Sequence, residues 1–157
     1  VNTNNETLRL IEPAVDLCDA YTDLVLDFRA AGRPFHPNYF DDLLDFGAFV
    51  RRLRHSPHNL DLPTSEPTTM HLWAVRGHTI VATVSLRRLA APAETGCDAH
   101  LTCHVRPSER RATSDVLALV AERAGELGLR RLRLTPEDEP VARPPATPAP
   151  TTAACSL

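Results

Sequence analysis

The chain has 157 residues, 43% hydrophobic and 24% charged, a balance that excludes a fibrous or wholly disordered class and fits one globular core. A formal charge of -3 gives no electrostatic reason for nucleic acid or an anionic membrane to be the partner. All 17 basic residues are arginine.

No run approaches the roughly 18 apolar residues of a membrane span. The opening VNTNNETLRL lacks the charged and apolar regions of a signal peptide, so a cytoplasmic protein is expected. Cys18, Cys97, Cys103 and Cys155 show no CxxC or other metal-type spacing, which fits reduced thiols better than a disulfide framework.

LRLIEP, from Leu8 to Pro13, alternates like a short edge strand and stops at a proline. Leu17, Tyr21, Leu24 and Phe28 then recur at helical spacing up to Gly32, a C-terminal stop. A second amphipathic segment carries Phe40, Leu43, Leu44 or Phe46, Phe49, Val50 and Leu53. It ends in a basic run, Arg51, Arg52, Arg54, His55 and His58, whose cations complement the helix dipole.

After the loop LDLPTSEPTTM the period changes to that of strands. HLWAV, a turn at Arg76, Gly77 and His78, and TIVATVSLRRL predict an antiparallel hairpin. Trp73 is expected in the core. AHLTCHV is the third strand of this group and runs directly into RPSERR. Alternation puts His100, Thr102 and His104 on one face and Leu101, Cys103 and Val105 on the other. Val116, Val120, Ala124 and Leu127 then mark a helix ending at Gly128, with Glu122, Arg123 and Glu126 as its polar face. RLRLT, from Arg131 to Thr135, is the next strand.

Beyond Thr135 the sequence PEDEPVARPPATPAPTTAACSL has almost no bulky apolar residue and cannot bury a face. The expected organisation is a folded domain over residues 1–139 and a disordered Pro/Ala/Thr-rich tail over 140–157. His71, His78, His100 and His104 form no HxH or HExxH pattern, so no metal site is expected.

The segments LPTSEPTTMHLWAV, IVATVSLRR, AHLTCHVRPSERR and LALVAERAGELGLRRLRLT, in this order, resemble small bacterial members of the GNAT family of N-acetyltransferases, from about Leu8 to Asp138. The resemblance implies an α/β (α+β) fold, a mixed, mainly antiparallel sheet flanked by helices, with the C-terminal part missing. It implies acetyl-CoA as cosubstrate and an amine of a small molecule or protein as acceptor, and it leaves a sheet edge that a homodimer would cover. On the same resemblance the cosubstrate contacts are His104, Val105, Arg106, Arg110, Arg111, Ala112, Thr113 and Ser114. His100 is the candidate base, or a hydrogen-bonded strand histidine, and Glu66 lines the acceptor pocket or is solvated.

Two departures bear on that function. In the family the loop before the helix is Arg/Gln-x-x-Gly-x-Gly/Ala, whereas here Arg110 and Arg111 run straight into Ala112, Thr113, Ser114 and Asp115, about two residues short and without the central glycine. Glycine there allows φ > 0 and close approach of backbone to phosphate. Asp115 either caps the helix or repels a bound phosphate. The second departure is the absence of a tyrosine after Thr135, the family's frequent proton donor to the leaving thiolate. The expected function is therefore acetyl transfer, impaired, or a degenerate GNAT-fold protein that binds without turnover, or a GNAT scaffold repurposed for another reaction.

Overall fold

A computed structural model describes residues 6–33, 35, 44–55, 69–89 and 96–135. Glu66, Phe40, Leu43, His58 and the tail after Thr135 lie outside the described residues. Five strands follow one another in space as they do in sequence, forming one open sheet of order β1-β2-β3-β4-β5. They are β1 (Leu8–Ile11), β2 (Thr69–Arg76), β3 (Thr79–Arg88), β4 (Ala99–Val105) and β5 (Leu132–Thr135). The first three pairings are antiparallel and β4 with β5 is parallel. A parallel neighbour needs a crossover, and the helix between β4 and β5 supplies it.

Three helices accompany the sheet among the described residues: α1 (Cys18–Ala30), α2 (Phe46–His55) and α3 (Thr113–Glu126). A 3-10 turn, Val15–Leu17, leads into α1, and a second, Pro107–Ala112, leads into α3. The chain is thus mixed α+β. No helix among the described residues is long and apolar enough to cross a membrane.

Glycine stops α1 and α3 in the same way. Gly32 and Gly128 take φ of 67° and 75°, the left-handed conformation that side chains resist. The Arg33 N–H reaches the Phe28 carbonyl while Gly32 donates to Arg29, and Leu129 reaches Ala124 while Gly128 donates to Gly125. These are Schellman closures, which satisfy carbonyls the helix end would otherwise leave open. The hairpin turn lies at Gly77 and His78 between the paired residues Arg76 and Thr79, with Gly77 at φ 58°. A two-residue loop with positive φ at its first position matches the twist of the flanking strands.

The sheet buries two apolar layers. Leu72, Ala74, Val84, Leu86, Leu101, Cys103 and Val105 form one with Val116 and Val120 of α3. Trp73, Val75 and Ile80 form the other with Tyr21, Leu24 and Phe28 of α1 and Phe46, Phe49 and Val50 of α2. Trp73 is core, 2% exposed, and stacks on Tyr21 with ring centroids 5.5 Å apart.

Strict alternation fails at Ile80, Val81 and Ala82, which are all buried. There Ala74 faces Ala82 and Val75 faces Ile80, so Val81 is an extra residue, a bulge. Its carbonyl accepts the Arg106 N–H at 2.7 Å. That bond fixes the chain at the point where it leaves β4.

Candidate functional site

The junction from β4 through the Pro107–Ala112 turn into α3 holds most of the residues the sequence pointed to. Val105 is buried against the α3 layer. His104 lies on the opposite face, paired with Thr83. Its ring meets Phe35 edge-on at 5.7 Å and Phe28 at 6.5 Å between centroids. His104 therefore borders the aromatic cluster.

Arg106 extends toward α1. Its Nε donates to Oδ2 of Asp27 at 2.9 Å, a part-buried ion pair. The same oxygen accepts the Ser108 hydroxyl at 2.5 Å and the Ser108 N–H at 3.3 Å. Arg106, the residue before this turn, offers no side-chain cap to it. A carboxylate from another helix satisfies the turn instead, as a local Asp or Ser would. Burial alone would raise the Asp27 pKa, but the hydrogen bonds from Ser108 and Arg106 and the Arg106 charge outweigh it, and the carboxyl is held below the usual 3.8.

Proline at the first helical position is pre-set for this conformation, and the turn from Pro107 continues into α3 without an open loop. The Thr113 N–H donates to the Arg110 carbonyl, and the Thr113 hydroxyl donates to it as well, at 2.7 Å. All positive φ values among the described residues belong to Gly32, Gly77, Gly96 and Gly128; none lies in this turn. Alternation of right- and left-handed residues is one backbone form in which successive amides cradle a phosphate. The turn lacks it.

Charge follows the same pattern. Glu109 pairs with Arg76 at 3.0 Å. Arg110, Arg111, Ser114 and Asp115 are exposed and Ala112 is buried. Asp115 stands in the first turn of α3, where it stabilises the helix dipole and opposes an incoming anion.

His100 is separate from this junction. It sits four residues back along β4, between Arg87 of β3 and Arg133 of β5 in the register. His71 shares a 2.9 Å hydrogen bond with Ser85, on the same face one row away. The structure thus brings Arg106 together with Asp27 and Ser108 and leaves His100 in a different neighbourhood. Asp27 was missed because nothing in an amphipathic helix distinguishes this aspartate from its solvated neighbours. Among the described residues no group of three or more His, Cys, Asp or Glu side chains could hold a metal ion, and Cys18, Cys97 and Cys103 form no disulfide.

No family model matches this chain, and no curated protein matches it.

Proposed function

We propose that this chain is a GNAT-type N-acetyltransferase domain whose acetyl-CoA phosphate site is shut, so that it does not turn over acetyl-CoA as folded. The element order supports the GNAT part of the reading: strand, two helices, three antiparallel strands, helix, parallel strand. One observation carries the rest: the Asp27 carboxylate holds the Nε of Arg106, one of the expected cosubstrate contacts, together with the Ser108 N–H and hydroxyl of the same turn. The absence of a left-handed residue in the turn and the presence of Asp115 beside it both disfavour a diphosphate there.

A second reading, slow acetyl transfer through a displaced coenzyme, draws on the two exposed guanidiniums of Arg110 and Arg111. They remain available to a phosphate whose backbone cradle is gone. In that case binding depends on charge alone and falls with salt.

Calorimetric titration with acetyl-CoA separates the two. The natural chain is expected to give no saturable binding, and insertion of Lys-Gly after Arg111, which restores loop length and a glycine, is expected to create it. Binding of the natural chain at micromolar strength, about -8 kcal/mol, or free-thiol release from acetyl-CoA above a protein-free blank, overturns the closed-site reading.

A further inference from the structure

The sheet face opposite α3 has an apolar half and a polar half. Near the hairpin it carries Trp73, Val75 and Ile80 under α1 and α2. Toward the other end the cross-strand registers set two polar rows. His71, Ser85, Thr102 and Thr135 form one, and Thr69, Arg87, His100 and Arg133 form the next.

The second row is unusual in its charge. Arg87, His100 and Arg133 lie directly beside one another on three adjacent strands. Adjacent strands are about 4.8 Å apart, so the two arginine Cα atoms are about 9.6 Å apart with one imidazole between them. Like charges so placed are unfavourable without a counter-charge. The strands β2 to β5, TMHLWAVR, TIVATVSLRR, AHLTCHV and LRLT, contain no carboxylate, and Asp98, directly before β4, pairs with Arg131.

Among the described residues Arg87 and Arg133 make no ion pair, whereas Arg76, Arg106, Arg123 and Arg131 each hold a carboxylate. Charged side chains are common on edge strands, where they block pairing with another chain, which would account for Arg133. It does not account for Arg87, because β3 lies between β2 and β4. Next to the row stand the hydroxyls of Ser85, Thr102 and Thr135, with Ser85 oriented by His71.

We propose that Arg87, His100 and Arg133 form a binding site for a phosphate group, with the neighbouring hydroxyls as further donors. Two guanidinium forks on opposite sides of one position suit a tetrahedral dianion with several acceptor oxygens better than a single carboxylate. This site is independent of the turn before α3 and does not rest on the acetyltransferase reading. Its ligand is either free phosphate or a phosphomonoester.

Calorimetric titration of the full chain with inorganic phosphate and with phosphoserine tests it. Arg87→Ala and Arg133→Ala, both at exposed positions, are expected to weaken binding by about tenfold or more each. Arg123→Ala, on the exposed face of α3 where it pairs with Glu126, is expected to leave it unchanged. Arg87→Lys keeps the charge and loses the fork, so it should fall between wild type and Arg87→Ala, which also controls for misfolding. Tighter binding of phosphoserine than of phosphate assigns the site to a phosphomonoester; equal binding assigns it to free phosphate. No saturable binding of either probe at about 10 mM, or binding that survives Arg87→Ala, or binding lost equally on Arg123→Ala, overturns the proposal.

Discussion

Asp27→Ala removes the acceptor of three hydrogen bonds, from Arg106 Nε, Ser108 Oγ and the Ser108 N–H, and so cuts the tie between α1 and the turn before α3. A hydrogen bond to a charged group is worth about 1.5–3 kcal/mol when well buried. Here Asp27 and Arg106 retain 22% and 17% of their side-chain exposure, so solvent screening reduces the whole cluster to about 1–2 kcal/mol. For a domain of this size that lowers Tm by roughly 2–8 °C. The folded-state pKa of Asp27 lies below 3.8, so the carboxylate's contribution is complete above that value and disappears as pH falls through the folded pKa. Urea unfolding followed by circular dichroism at pH 7 and again below pH 3 measures it. The variant should be less stable at pH 7, and the gap should close in acid. Equal stability at pH 7, or a gap that persists unchanged below pH 3, refutes the assignment of the cluster's strength to the ionised carboxylate.

Trp73→Ala should be the most destabilising single change in the second layer, about 3–5 kcal/mol, because the indole is 2% exposed and contacts both Tyr21 and Phe46; a loss under about 1 kcal/mol in chemical denaturation would contradict the packing described. Asp98 accepts the Arg131 and Arg130 amides and the Arg131 guanidinium, which together hold its carboxyl below 3.8. Asp98→Ala should therefore speed hydrogen exchange at those two amides at pH 7 while leaving the β3 amides protected, and unchanged exchange at Arg130 and Arg131 would remove Asp98 from that role.

Much of the fold is legible because its signals are local. Gly32, Gly77 and Gly128 fall where a helix end or hairpin turn needs positive φ, and each does adopt it. Alternation in AHLTCHV assigns His100, Thr102 and His104 to one face, as the register and burial bear out. The bulge at Val81 was not legible, since IVA in TIVATV reads as part of an ordinary buried strand and only the partner's register reveals the extra residue. Nor was the Asp27 cluster, whose members lie 79 and 81 positions apart in sequence. Periodicity identifies the face on which Asp27 lies but carries no information about a partner at that separation.

The same distinction decides which candidate residues can act together. His100 and His104 share a face of β4, and on that ground alone either one would serve a common substrate. Four residues of strand separate them, about 13 Å, and their neighbours differ in kind. His104 abuts Phe28 and Phe35 at the margin of the aromatic cluster, where a polar ligand would have to displace ring contacts. His100 stands between Arg87 and Arg133 in the register, and the carboxylate nearest along β4, Asp98, is held by Arg131, so an anion gains attraction from both sides. The turn bearing Arg106 adjoins His104 along the chain, but its Arg106 Nε and its Ser108 N–H and hydroxyl already donate to Asp27. An anionic ligand that reaches for Arg106 Nε or Ser108 must therefore compete with a carboxylate fixed at high effective concentration, whereas one approaching the Arg87 and Arg133 row displaces no protein partner among the described residues. That difference in competition favours the proposed site on the sheet face over the turn where the family resemblance implies one.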